Sequence, residues 1–149
     1  TESLITSTKI VFKETSMLPR IISALVGLVI TLQTITWIRN PAEAAQGLGM
    51  QLLDGMGRST QIGDFTSFFF SVGVFCFLGA YFKQSQWLIS AAVILGSAAI
   101  FRSLAWVLHS ADFATNFIVA EVIMTILLVG CAYLFDKSEK TGNADTAES

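Results

Sequence analysis

Charge is what this chain has least of. Of its 149 residues only 13% are charged, where a soluble domain carries about 25%. The net charge of -2 offers no basic surface, so no nucleic-acid partner is expected. Cysteine is nearly absent as well. Cys76 and Cys131 show no CxxC spacing, which excludes a disulfide framework and a dithiol redox motif. They read as space-filling residues toward one end of their apolar stretches. A single histidine, His109, cannot build a zinc site, and no histidine pair exists to hold a haem. No metal and no cofactor is therefore expected. The chain also lacks a Walker loop, GxGxxG, HExxH and GxSxG, so nothing in it points to a soluble enzyme.

What is present is apolar. Mean hydropathy is +0.65 and 53% of the residues are hydrophobic. Four long apolar runs cover residues 18–38, 64–82, 87–108 and 116–135. Each has about the 20 residues needed to cross a hydrocarbon core as a helix. An open strand edge would leave backbone groups unsatisfied in lipid, so such runs read as helices. The expected fold is all-α: a four-helix transmembrane bundle with the bilayer as its first partner. Trp37, Tyr81, Trp87, Trp106 and Tyr133 lie near span ends, where interfacial aromatic anchors belong.

Residues 1–17 read as a polar N-terminal leader, 18–135 as the membrane domain, and 136–149 as a disordered C-terminal tail rich in small and charged residues. The long first loop, 39–63, contains Asn40-Pro41, a helix start with Asn40 as cap and Pro41 at the first helical position. Ala44, Leu48 and Leu52 then share one face, which predicts a short interfacial helix over about 41–53. Gly55, Gly57 and Gly63 are expected to break the chain before the second span. Lys9, Lys13, Arg20, Lys83, Lys137 and Lys140 fall on one side of the bundle, against Arg39 and Arg58 on the other. The positive-inside rule thus puts both termini in the cytoplasm, in a multi-pass protein of the cell's inner (plasma) membrane.

Two ionised residues lie well inside the apolar runs, away from their ends: Arg102 in the third and Glu121 in the fourth. A charge at mid-bilayer costs at least about 2.5–3.5 kcal/mol on insertion scales, so each needs a partner or a purpose. Arg102 lies six residues before the end of its run and Glu121 five into the next. At about 1.5 Å per residue, both sit roughly 8–10 Å from the same membrane surface. The short connection makes the two helices antiparallel neighbours. A guanidinium can grip a carboxylate with two hydrogen bonds, so a buried Arg102–Glu121 ion pair is expected. Gln33, Asp64, Trp106 and His109 fall in the same outer half. Together with the pair they outline a candidate ligand pocket, partly roofed by the first loop. Each residue also has a purely structural reading: Arg102–Glu121 as a docking pair, Asp64 as a helix N-terminal anion, and His109 and Trp106 as interfacial residues. Gly73, Gly79, Ala92 and Gly96 read as close-packing points between helices.

Four segments carry a family resemblance: NPAEAAQGLGM, GRSTQIGDF, FRSLAWVLHSAD and AEVIMTILL. Across residues 20–135 the chain resembles a family of bacterial four-span membrane proteins of unknown function, with a looser likeness to DoxX-like four-helix proteins. The resemblance implies an Arg near the end of the third span and a Glu early in the fourth, positions held by Arg102 and Glu121. The small multidrug exporters carry their key Glu in the first span, which has none here.

Three functions remain as expectations. The first is a non-enzymatic accessory or interaction subunit of a membrane assembly, partnered by other membrane subunits or by copies of itself. The second is a binder or carrier of an amphiphile with an anionic or carbonyl head. The third is a DoxX-like membrane oxidoreductase component.

Overall fold

The computed structural model describes the backbone of residues 2–147 and the side chains of residues 17–140. Five helices follow in order: α1 (Glu2–Arg39), α2 (Pro41–Gly47), α3 (Gly55–Phe82), α4 (Ser85–His109) and α5 (Thr115–Ala147). There is no strand among the described residues. Four segments are long and apolar enough to cross a membrane: Met17–Arg39, Gly55–Phe82, Ser85–His109 and Thr115–Lys140. The expected four-helix bundle with a short helix in its first loop is what the chain forms.

The long helices alternate in direction and close a ring. α1 packs along α3 and α4 along α5, while α1 also meets α5 and α3 meets α4. The 39–54 and 110–114 connections therefore share one end of the bundle, called here the loop end. The termini and the turn at Lys83 and Gln84 share the other.

Apolar side chains fill the core, Leu88, Leu95 and Leu128 among them, and also cover the outside. Large apolar side chains point outward, among them Leu25, Leu28, Leu32, Val93, Ile100 and Ile126. Ser23, Thr34, Gln61 and Glu121 are buried among the apolar core residues. In water such an exterior would drive aggregation; in lipid it costs nothing, and small or polar groups suit the helix contacts. At the α1–α3 crossing the backbones come very close. A Cβ added at Gly27 would lie 2.9 Å from Cys76 Cβ, so only glycine fits there. Away from the loop end, Ser23 Oγ donates to the Pro19 carbonyl at 2.7 Å, and Arg20 Nε to the Ala80 carbonyl at 2.9 Å, tying α1 to the end of α3. Cys76 and Cys131 are free thiols packed in the core.

Several boundaries differ from the sequence reading. The short helix ends at Gly47, not near residue 53. Gly49 takes a left-handed φ of +76°, and the Leu48, Gly49 and Met50 amides turn back onto the carbonyls of residues 44–46. That closes the helix end.

α3 begins at Gly55, nine residues before the expected start at Asp64. Gly57 and Gly63 do not break it. Arg58 fastens the start, with Nη2 donating to Asp54 Oδ1 at 2.7 Å and Nε to the Leu53 carbonyl at 3.0 Å. Asp64 is thus two turns inside α3 and cannot serve its N-terminus.

Trp37 is not an interfacial anchor. It is wholly buried and stacks on Phe65, with ring centroids 4.9 Å apart. Tyr81, Trp106 and Tyr133 do face outward. At the C-terminal end, α5 runs past Phe135 to Ala147, through residues placed in the tail. Lysine, glutamate and alanine have high helix propensity, which low hydrophobicity alone does not reveal.

Candidate functional site

The expected charge pair forms. Arg102 Nε donates to Glu121 Oε1 at 3.0 Å, joining α4 to α5. The Arg102 side chain is 30% exposed and that of Glu121 only 9%. The two-bond grip does not form. Arg102 approaches side-on, and its guanidinium carbon lies 5.1 Å from the centroid of the Phe117 ring, one turn before Glu121 on α5. This cation–π contact occupies one face of the guanidinium. The terminal nitrogens of Arg102 have no hydrogen-bond partner among the described residues. On the carboxylate side, Oε2 of Glu121 is buried and without a partner.

Arg102 also borders an open groove between α3 and α4, about 310 Å³ in volume. Phe65, Phe68, Phe69, Phe101, Ala98 and Ala105 form the rest of its wall. The groove is apolar apart from the arginine. Three of its four phenylalanines come from α3, where the spacing of Phe65, Phe68 and Phe69 brings their rings to the α4 side, and Phe101 comes from α4. Of the Phe run at 68–70, only Phe70 is exposed.

The other four predicted site residues are not gathered around the pair. Gln33 and Asp64 are exposed on α1 and α3. Trp106 is half exposed and packs edge-on against Phe113 of the next loop, 5.2 Å between centroids. His109 is the exposed last residue of α4. Trp106 and His109 share Arg102's helix face by spacing. They lie one and two turns nearer the end of α4, where the neighbour is the connecting loop. None of the four lines the groove.

Sequence reasoning missed Gln61. It is buried, and its amide is fully engaged: Oε1 accepts from the Leu53 amide at 2.9 Å, while Nε2 donates to the Gln51 carbonyl at 3.1 Å and to Met50 Sδ at 2.8 Å. One side chain thus pins the 50–53 connection onto α3. A glutamine one turn before an apolar run was the available signal. It was hidden by placing the helix start at residue 64.

A second open groove, about 410 Å³, runs between α4 and α5 on another face. Gly96, Ala99, Ser103 and Thr125 lie along it among larger aliphatic residues. Among the described residues, no cluster of His, Cys, Asp and Glu could hold a metal ion. Comparison with protein-family models, curated proteins and solved structures finds no match to this chain.

Proposed function

We propose that this chain is a multi-pass membrane protein that binds an amphiphile by an anionic or carbonyl head at Arg102, with the apolar tail in the α3–α4 groove. The observation that carries this reading is the half-used guanidinium. One nitrogen holds Glu121, while the terminal nitrogens stay unpartnered beside a groove walled by four phenylalanines. A guanidinium with donors left over in an apolar setting favours a guest that brings a further acceptor. We also propose the orientation given by the lysine and arginine bias: both termini cytoplasmic, the groove in the outer half of the inner (plasma) membrane. The likeness to bacterial four-span proteins belongs to the same proposal and rests on the four quoted segments.

The test is native mass spectrometry from mild detergent, comparing the parent with a variant carrying Arg102→Met and Glu121→Leu together. The double replacement removes the charges without stranding one of them. The parent is expected to retain an anionic or carbonyl-headed lipid that the variant loses. Equal retention by a folded variant refutes the site. A second reading, an accessory subunit of a larger assembly, draws on the α4–α5 groove, where Gly96, Ala99 and Ser103 would let another helix approach closely. The same spectra report it as a stoichiometric protein partner.

A further inference from the structure

Arg20 is fixed at one nitrogen and open at the others. Its Nε donates to the Ala80 carbonyl at 2.9 Å. That carbonyl belongs to the last turn of α3, where acceptors have no partner within the helix, so the bond caps α3 and holds the guanidinium in place. Of the terminal nitrogens, Nη1 reaches only Met17 Sδ, a weak acceptor, at 4.0 Å. Nη2 has no hydrogen-bond partner, and Arg20 no salt bridge, among the described residues. Arg20 lies three residues into the span Met17–Arg39, and Ala80 two before the end of Gly55–Phe82. At about 1.5 Å per residue, both are roughly 3–5 Å inside the terminal end of the bundle, the level at which lipid heads meet their tails.

The guanidinium stands at the mouth of an open groove between α1 and α3, about 410 Å³ in volume. Tyr81 is the other polar side chain in its wall, exposed and edge-on to Phe82. Ile21, Ala24 and Phe77 carry the groove inward. Ala24 is about 6 Å deeper along α1 than Arg20, and Phe77 lies one turn deeper than Tyr81 on antiparallel α3. Polar groups therefore sit at the surface end and apolar ones below them, in the order of a lipid's head and tail. No acidic residue occurs in 15–42 or in 65–111, so neither wall holds a carboxylate. Asp136 and Glu139 share this end but belong to α5, which does not line the groove. Lys83 is exposed just past α3 and does not line it either.

We propose that this groove binds an anionic phospholipid, with its phosphate at the Arg20 guanidinium and the Tyr81 hydroxyl and an acyl chain along Ile21, Ala24 and Phe77. A guanidinium gives a phosphate paired, charge-assisted hydrogen bonds, and the tyrosine hydroxyl can donate another. The charge of Arg20 is what selects the head. At Arg102 the carboxylate of Glu121 already offsets the arginine. At Arg20 no carboxylate does, so a head with net negative charge is favoured over a zwitterionic one. The two grooves lie at opposite ends of the bundle and share no residue.

The test uses the full chain with Phe77→benzoylphenylalanine, which puts a photoreactive ring in the groove wall. The protein is placed in vesicles of equal parts phosphatidylglycerol and phosphatidylcholine and irradiated, and its lipid adducts are identified by mass spectrometry. Phosphatidylglycerol adducts are expected to exceed phosphatidylcholine adducts by about fivefold, the preference that one basic residue gives for an anionic lipid. Arg20→Gln, whose amide can still donate to the Ala80 carbonyl, should bring the ratio near one. Lys83→Gln should leave it unchanged. Equal adducts in the parent overturn the proposal, as does a preference that survives Arg20→Gln. An equal fall in both variants also overturns it, because the charged surface as a whole would then attract the lipid. A preference erased by inorganic phosphate, but not by chloride of the same ionic strength, would assign the guanidinium to free phosphate instead. If Arg20→Gln fails to fold, Lys83→Gln decides: a preference that survives it supports the site, and one lost with it refutes the site. Phe77 does not line the Arg102 groove, so this result and lipid retention at Arg102 fail separately.

Discussion

At the scale of single residues, Arg102 and Glu121 hold each other unequally. Glu121 is deep and has one protein partner, whereas Arg102 keeps part of its side chain at the surface. The consequences of losing either one should differ. Arg102→Ala leaves a carboxylate buried with nothing to balance it, a loss of about 3–5 kcal/mol for a stranded charge. Glu121→Ala leaves a guanidinium that can turn toward the groove mouth, so the loss should be smaller. Removing both should cost less than the sum of the two single changes. Unfolding of all four proteins in one detergent measures this. Strict additivity, or a larger loss from Glu121→Ala, would show that the pair is not coupled as described. The pair was legible in the sequence because a charge well inside an apolar run demands a partner, and only Arg102 and Glu121 lie more than three residues from the ends of their runs. Its single-bonded geometry was not, since that depends on where Phe117 places its ring.

At the scale of the helix, close approach is the organising feature. α1 and α3 meet where Gly27 faces Cys76, and a Cβ on Gly27 would fall 2.9 Å from the Cys76 Cβ. That atom is fixed to the backbone, so the helices themselves would have to part. Gly27→Ala should therefore destabilise by about 1–3 kcal/mol, as overpacking does. Gly96 differs: its added Cβ would meet Thr125 Cγ2 at 3.4 Å, an ordinary contact. Gly96→Ala should be neutral, or stabilising by up to about 1 kcal/mol through helix propensity. Thermal unfolding of the two variants side by side distinguishes the sites; equal effects would contradict the packing described. Gly73, Gly79 and Gly96 were all readable as small residues in apolar helices. Which of them meets a neighbour at its backbone was not readable, and Gly27 escaped notice, because that depends on helix rotation and crossing point.

At the scale of the molecule, an apolar exterior around a partly polar interior explains how four helices this hydrophobic can be stable together. It also makes the topology testable. Six of the nine lysines and arginines belong to the terminal end and Arg39 and Arg58 to the loop end, with Arg102 between. In a background with Cys76→Ala and Cys131→Ala, single cysteines at the exposed positions Gln46 and Glu139 should label from opposite sides. Gln46→Cys should react with an impermeant reagent in intact cells, and Glu139→Cys only after permeabilisation. The opposite pattern reverses the orientation; labelling of both from outside breaks the four-span count.

Composition and periodicity by themselves determined the all-α class, four long apolar helices, the Asn40-Pro41 helix start and the pairing of Arg102 with Glu121. Each follows from a local constraint: backbone groups satisfied within one helix, a fixed rise per residue, and a charge that must be matched in an apolar run. Tertiary structure alone decided the rest. It carried α3 back to Gly55 through glycines that read as breakers, because Arg58 and Gln61 fasten its first turns to the preceding connection. It turned Trp37 inward onto Phe65 and brought Phe65, Phe68 and Phe69 to the side of Arg102. It left Gln33, Asp64, Trp106 and His109 outside. Depth along a helix can be counted from sequence. The direction a side chain takes around that helix is set by the neighbours that surround it, and those exist only once the bundle has closed.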